Sequence, residues 1–274
     1  MALFAGAGSL PVYVAETAIQ KNISVVPYMI GHDNKTLKKV CGHAGYKLVP
    51  GLLNRTLTLL NKENITAAVF AGKVNKWLLL KDPRLDEMAL KAIKSLSRLN
   101  DDAVMLWLIN ALAHHGINVL PQSLFLQSFL LPAGQMTRTV LSAQQRKDAS
   151  YGFELAKEMG RLDIGQSVVV HEGMAIAIEA IEGTDHCIKR AGKLAGKKGG
   201  VLVKVAKPNQ DNRFDIPTVG LQTLKCMKRA GLKALVTEAD QTLYVDSPAM
   251  RAFAERHNLA IESMAAATAT DNTA

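Results

Sequence analysis

The alternation of short apolar segments with amphipathic ones is the feature of this sequence that most limits its possible folds. Ile65–Ala71 is almost entirely apolar, as expected for a strand that is covered on both faces. Leu85–Leu96 follows with apolar residues three and four positions apart, which predicts a helix. Asp101 or Asp102 then caps a second helix, and Ile117–Leu120 is a further strand. This order predicts a parallel, doubly wound sheet.

The second half of the chain has a different pattern. A segment rich in Gln, Ser and Thr interrupts the alternation, a helix is predicted at Ala149–Met159, and two strands then flank His171-Glu172-Gly173 as a hairpin. We therefore predict an α/β protein with an N-terminal doubly wound, Rossmann-like parallel-sheet domain and a C-terminal mixed α/β domain. The predicted boundaries are residues 1–132 for the first domain, 133–148 for a linker and 149–274 for the second domain.

Composition narrows the possible partners. The chain has 274 residues, of which 48% are hydrophobic and 21% charged, and these values are typical of a soluble globular protein. Its net charge of +9 would suit nucleic acid, an anionic membrane surface or an acidic ligand. Because the sequence has no RNA-binding aromatic signature, no zinc-finger spacing and no arginine-rich arm, we expect no nucleic-acid partner.

The cysteines and the apolar runs indicate the compartment. Cys41, Cys187 and Cys226 are odd in number and far apart, which is typical of reduced cytoplasmic thiols. No apolar run approaches the roughly 20 residues that a membrane-spanning helix needs, and the N-terminus is not a signal peptide. We expect a cytoplasmic protein with at most peripheral contact with a membrane surface.

The segment 207–220 contains the strongest indication of chemistry. Two prolines bias it toward extended backbone, in which alternate side chains share one face. An acid–arginine–acid set would then line one side: Asp211, Arg213 and Asp215. Carboxylates bind hard cations such as Mg²⁺, and a guanidinium binds phosphate oxygens in pairs. An exposed loop with one local ion pair is the alternative.

Glycines near the N-terminus form a second candidate site. Gly6-Ala7-Gly8 lies between a strand and a helix, where backbone amides bind phosphate. Pro11 replaces the third glycine of the dinucleotide fingerprint, so a simple tight turn is equally compatible with the sequence. Gly72-Lys73 follows another strand, and Lys73 is either a phosphate contact or an ordinary solvated lysine.

Three further positions have two interpretations each. Thr184-Asp185 could contact phosphate or metal, or could simply cap a helix. His171 could act as an acid or base, or be an exposed turn residue. For the pair Asp101-Asp102, a catalytic role is one interpretation, and the other is a helix cap that explains at least one of the two residues.

Several motifs together resemble one family. The run Lys207-Pro208-x-Gln210-x-x-Arg213-x-Asp215-x-Pro217-Thr218-x-Gly220 resembles the signature of the LpxI family, UDP-2,3-diacylglucosamine pyrophosphatases of the lipid A pathway. Other segments resemble family motifs in the same order: Ala5–Pro11, Phe70–Val74, Asp101-Asp102, Gly160–Gln166, Glu172-Gly173 and Glu182–Asp185. Only five residues precede Gly6, fewer than in the family's first strand, which predicts a natural start upstream.

The resemblance implies a reaction and a set of residues. It implies that water attacks the α-phosphorus of UDP-2,3-diacylglucosamine, giving UMP and 2,3-diacylglucosamine 1-phosphate, with Mg²⁺ or Mn²⁺ as cofactor and a homodimer as the assembly. The catalytic residues would be Asp215 and Arg213, and the metal ligands Asp215, Asp211 and Asp185. The substrate contacts would be Gly6, Gly8, Ser9, Gly72, Lys73, Gln166, Glu172, Thr184, Lys207, Gln210 and Thr218.

Two other functions are compatible with parts of the sequence. The opening glycines and Asp33 after the second strand would suit a Rossmann-type NAD(P)-dependent oxidoreductase. A non-catalytic protein that binds the nucleotide or the lipid would use the same motifs without releasing UMP.

Overall fold

A computed structural model describes residues 1–31, 33–74, 84–96 and 101–266, with only the backbone of Asp101. Contacts divide the chain into two units. The first contains Met1–Gln127 and Asn212–Phe214, and the second contains Ser128–Asp211 and Asp215–Ala274. We call the segment 207–220 the reaction loop. Three of its residues, 212–214, belong to the first unit, while the residues on both sides of them belong to the second.

The first unit is built on a five-stranded parallel sheet. The strands are β1 (Ala2–Ala5), β2 (Val26–Ile30), β3 (Tyr46–Leu48), β4 (Ala67–Ala71) and β5 (Asn118–Val119). The helices are α1 (Leu10–Gln20), α2 (Lys35–Cys41), α3 (Leu53–Lys62), α4 (Glu87–Ser95), α5 (Asp101–His114) and α6 (Ser123–Leu126), followed by a 3₁₀ turn at Gln127–Phe129. The strand order β3-β2-β1-β4-β5 reverses between β1 and β4, which confirms the predicted doubly wound sheet.

Aromatic side chains hold the centre of this first sheet. Every residue of β1 is buried, and the Phe4 ring stacks on Phe70 of β4 with 4.7 Å between ring centroids. On the other side of β1, Phe4 contacts Tyr28 of β2 at 5.6 Å. These contacts connect the three central strands, so the loops after β1 and β4 leave from a rigid base.

The second unit contains a six-stranded mixed sheet. Its strands are β6 (Gly134–Gln135), β7 (Ser167–His171), β8 (Met174–Ile178), β9 (Val201–Lys204), β11 (Ala234–Glu238) and β13 (Ala260–Met264), while β10 (Thr218–Gly220) and β12 (Leu243–Val245) form a separate parallel pair. The helices are α7 (Ala143–Arg161), α8 (Thr184–Leu194), α9 (Leu221–Ala230) and α10 (Ser247–Arg256). The order is β6-β13-β11-β9-β7-β8, parallel from β13 to β9 and antiparallel elsewhere. The predicted mixed α/β class is confirmed.

Helix α7 begins earlier than the sequence pattern indicated. We predicted a start at Ala149, but the helix begins at Ala143 because Ser142 and Gln145 form a capping box. The Ser142 hydroxyl accepts from the Gln145 amide at 3.2 Å, and the Gln145 side chain accepts from the Ser142 amide at 2.9 Å. The segment 133–148 predicted as a linker thus contains β6 and the first turns of α7.

Two predictions about the whole chain can be compared with the structure. All three cysteines are free thiols, and burial raises the pKa of Cys187 to about 12, with the nearby Glu179 carboxylate adding to the shift. Across the described ranges, no helix combines the length and apolar character that crossing a bilayer requires.

A buried aspartate on α7 anchors the hairpin of β7 and β8. The Asp148 carboxylate accepts from the amides of Glu172 and Gly173 at 3.0 and 2.8 Å, and from the Gln144 side chain at 2.9 Å. Only 2% of Asp148 is exposed. The carboxylate therefore supplies both amides of the turn with a buried acceptor.

We expect Asp148→Ala to lower the free energy of unfolding by about 2 kcal/mol, because two turn amides lose their buried acceptor. Thermal or urea unfolding followed by circular dichroism measures the loss. Glu154→Ala is the matched control, since Glu154 is an exposed carboxylate on the same helix. Equal stability of the two variants would contradict an anchoring role for Asp148.

Candidate active site

In the first unit, the loops after β1 and β4 are joined backbone to backbone. The Ala7 amide donates to the Lys73 carbonyl at 2.7 Å, and the Lys73 amide donates to the Ala7 carbonyl at 2.9 Å. A side chain at Gly6 would lie 2.7 Å from the Gly72 backbone, and Gly72 itself has a φ of +86°. This close approach accounts for both glycines as structural requirements, independently of any ligand.

An open cleft of about 440 Å³ lies beside these loops, at the start of α1. Its walls are Gly8, Ser9, Val12, Tyr13, Glu16, Asn34 and Thr36. Two of the predicted substrate contacts, Gly8 and Ser9, therefore line the same cleft. Its walls come from the loop after β1, helix α1 and the start of α2, at the carboxyl end of the sheet, where ligands usually bind in such folds.

The Asp33 carboxylate, which suggested a dinucleotide site, forms an ion pair within the protein. Lys38 of α2 pairs with it at 2.6 Å, and this hydrogen bond is the main cause of the lowered pKa of Asp33.

In the second unit, the predicted reaction loop leaves the carboxyl end of β9. An ion pair between the half-buried Lys157 and the buried Glu238 holds the peptide just before the loop. The Ala206 amide donates to Glu238 at 2.8 Å, and the Lys157 ammonium donates to the Ala206 carbonyl at 2.9 Å. Lys157 also donates to both carboxylate oxygens of Glu238 at 2.7 Å. One residue of the loop's stem is thus held through both its amide and its carbonyl.

The loop itself is not extended, so the predicted alternation of its side chains is wrong. Residues 212–214 form a turn, and the Asp215 amide donates to the Asp211 carbonyl at 3.1 Å. The two prolines restrict only the ends of the segment. Its middle is bound within the first unit, where Phe214 packs against the core and the Asn212 carbonyl accepts from the Gln122 amide at 2.9 Å.

Gln210 orients the carboxylate predicted to be catalytic. Its side-chain amide donates to Asp215 Oδ2 at 2.6 Å, and its side-chain oxygen accepts from the Lys207 amide at 2.9 Å. Lys207 donates through its ammonium to Asp163 at 2.7 Å. Three predicted residues are therefore brought together, with Gln210 contacting Asp215 itself. Asp163 lies in a segment that resembles a family motif, but the sequence pattern gave it no role.

A second polar cluster lies at the same edge of the second sheet. The Thr184 hydroxyl donates to Glu179 at 2.8 Å and accepts from Lys204 at 2.9 Å. The Gln166 side-chain oxygen is buried and has no hydrogen-bond partner among the described residues. Thr218 lies at the start of β10, where its hydroxyl donates to the Ile216 carbonyl at 3.0 Å.

Glu172 is far from this edge, although it was predicted to contact substrate. It lies in the turn between β7 and β8, and the whole of β7 separates it from Ser167. Five residues of strand span about 16 Å, so Glu172 and its neighbour His171 lie at the opposite end of the sheet. Asp148 binds the amide of Glu172, which gives this turn a structural explanation.

The predicted metal ligands are only partly brought together. Within the described part of the chain, no group of three or more His, Cys, Asp or Glu side chains is arranged to hold a metal ion. Asp185 lies on α8, and burial, with the Asp185 carboxylate adding to the effect, raises the pKa of the Cys226 thiol. Asp211 and Asp215 close one turn, and two carboxylates with phosphate oxygens and water make a set that Mg²⁺ accepts.

We expect Lys157→Met to lower the free energy of unfolding by about 3 kcal/mol, because it leaves the Glu238 carboxylate buried without its cation. The matched control is Arg161→Met on the same helix, which breaks the exposed pair with Glu158 and costs about 0.5 kcal/mol or less. Chemical denaturation of both variants gives the comparison. Similar small losses would show that the Lys157–Glu238 pair is unimportant for stability.

Two domain models of one protein family match nearly the whole chain. The model of the LpxI N-terminal domain matches residues 1–129, and the model of the LpxI C-terminal domain matches residues 132–262. A curated relative from Caulobacter vibrioides (strain ATCC 19089 / CIP 103742 / CB 15), named UDP-2,3-diacylglucosamine pyrophosphatase LpxI, is 31% identical over 270 residues. The match covers 93% of this chain and 94% of the relative. The chain belongs to the LpxI family.

Proposed function

We propose that this protein hydrolyses UDP-2,3-diacylglucosamine to UMP and 2,3-diacylglucosamine 1-phosphate. The observation that carries the proposal is the match to a pyrophosphatase of that name over nearly the full length of both chains. Neither family model nor the relative supports an oxidoreductase.

We assign the central role in the reaction to Asp215. Gln210 holds one of its carboxylate oxygens, while the other makes no hydrogen bond within the described residues. A fixed carboxylate with one available oxygen can orient water for attack on the α-phosphorus and accept its proton, or bind a cation beside it. Arg213 binds a phosphate oxygen in this scheme, since a guanidinium stabilises the charge that develops there.

We assign the cofactor site to Asp211 and Asp215, with Mg²⁺ or Mn²⁺ as the ion. The two carboxylates would hold the ion, which would supply positive charge to offset that of the phosphate groups. Asp185 is left out of this set because it belongs to α8 and not to the turn that Asp211 and Asp215 close.

Exposed apolar side chains at the same edge of the second sheet support a lipid substrate. Leu162 and Ile164 lie between α7 and β7, and Ile181, which is 89% exposed, lies between β8 and α8. Both connections are at the end of the sheet from which the reaction loop leaves. We propose that these side chains contact the acyl chains. A homodimer stays a prediction from the family resemblance, and a cytoplasmic location with at most peripheral membrane contact stays a prediction from the cysteines and the apolar runs.

We expect Asp215→Asn to reduce kcat by about 100-fold or more, because the amide cannot accept the proton of water. Release of UMP from UDP-2,3-diacylglucosamine measures kcat, and binding of the substrate should persist. Asp240→Asn is the matched control, since Asp240 is an exposed aspartate in the same unit. Turnover of Asp215→Asn close to that of this control would remove Asp215 from the reaction.

We expect EDTA to abolish UMP release and added Mg²⁺ or Mn²⁺ to restore it, because the two proposed carboxylates bind hard cations. In Asp211→Asn, which loses one carboxylate charge, half-maximal activity should require about tenfold more Mg²⁺. Full activity in EDTA would contradict the metal assignment while leaving the hydrolase in place. Substrate binding without UMP release in saturating Mg²⁺ would instead favour the non-catalytic carrier.

A further inference from the structure

A row of buried polar residues runs across the second sheet at the edge from which the reaction loop leaves. Strand register aligns Ser167 with Lys204, Lys204 with Thr237, and Thr237 with Ser263. Glu179 continues the row, since its amide donates to the Ser167 carbonyl at 2.8 Å. All five residues are at least nine-tenths buried. The row closes the apolar core on that face of the sheet, where hydrophobic residues would be expected.

The two charged members of the row are joined through one hydroxyl group. Thr184 begins α8, and its hydroxyl donates to Glu179 Oε1 at 2.8 Å while accepting from the Lys204 ammonium at 2.9 Å. The hydroxyl proton is thus committed to Glu179. Thr184, predicted as a substrate contact, is a bridge between an anion and a cation and has no proton left to donate to a phosphate.

The bridge leaves hydrogen-bonding capacity unused on both sides. Glu179 Oε2 is buried and has no partner among the described residues. The Lys204 ammonium uses one of its three donors, on Thr184, in the same part of the chain. An unpaired buried carboxylate oxygen is costly, and native proteins retain such atoms mainly where a ligand or water completes them.

The unused atoms specify the chemistry of the missing group. It must donate to the carboxylate oxygen of Glu179 and accept from the ammonium of Lys204. A hydroxyl group or a water molecule does both, whereas a carbonyl oxygen can only accept, and a phosphate would be repelled by the carboxylate. Lys204 ends β9, three residues before Lys207, so this position adjoins the stem of the reaction loop.

We propose that Glu179 and Lys204 form a subsite that binds one free hydroxyl group of the glucosamine ring. The inference rests on the proposed function. Acylation at positions 2 and 3 leaves the hydroxyl groups at C4 and C6 free, and one of these is the ligand. The subsite positions the sugar relative to the pyrophosphate and is separate from the residues that act on phosphorus.

The test compares three substrates: UDP-2,3-diacylglucosamine and its 4-deoxy and 6-deoxy analogues. In the wild-type protein, kcat/KM for one of the two deoxy analogues should be about tenfold or more below that for the parent substrate. The missing hydroxyl group leaves the buried polar groups of the subsite unpaired. Glu179→Gln should lose a similar factor with the parent substrate, since an amide nitrogen replaces the accepting oxygen. That variant should then lose no more than twofold on removal of the same hydroxyl group.

Glu182→Gln is the matched control. Glu182 lies in the same connection, but its carboxylate pairs with Arg190 at 2.6 Å on the surface. Its kcat/KM should stay within twofold of wild type for all three substrates.

The wild-type measurements decide the question even if Glu179→Gln fails to fold. Turnover of both deoxy analogues within twofold of the parent would overturn the subsite and indicate a site that holds only water, while UMP release would uphold the proposed function. Absence of UMP release from the parent substrate would overturn both.

Discussion

The hydrogen bond from the Ala206 amide to the Glu238 carboxylate is the interaction on which the position of the reaction loop depends. A carboxylate buried at the end of β11 accepts from the Ala206 amide, and Lys157 neutralises it while binding the Ala206 carbonyl. Each charge would be costly alone in this environment. Together they fix the direction in which the chain leaves β9. The Gln210 side chain, four residues after Ala206, then hydrogen-bonds the Asp215 carboxylate.

Strand register determines which polar side chains of the second unit lie next to one another. The polar row from Glu179 to Ser263 exists because five neighbouring backbones are aligned residue by residue. A shift of one residue in any strand would move its polar member to the other face of the sheet. The apolar partners below the row, such as Val169, Leu202 and Leu235, are fully buried and oppose such a shift. The packing of the core therefore aligns the polar groups above it.

The sequence contained enough information for the fold class but not for the partners of the polar side chains. Apolar strands and capped helices follow from local patterns, so the parallel sheet and its strand β4 (Ala67–Ala71), expected at Ile65–Ala71, were predicted closely. Short elements such as α2 and β13 were missed because their patterns span too few residues. Glu179 and Lys204 are 25 residues apart, and only strand register, which no local pattern encodes, brings both to Thr184. The extended loop was wrong for a similar reason, since contacts with distant residues determine the conformation of 212–214.

The membership of Asn212–Phe214 in the first unit has a consequence for dissection of the protein. A fragment that ends at Gln127 would lack the Phe214 ring that packs on the aromatic core around Phe4, as well as the carbonyl that receives the Gln122 amide. Cutting the polypeptide at the boundary between the two sequence halves would thus remove a tertiary element from the amino-terminal piece. For two such fragments to reassemble, the carboxy-terminal fragment would have to supply the Phe214 ring. Reassembly would therefore depend on the same segment that contains Arg213.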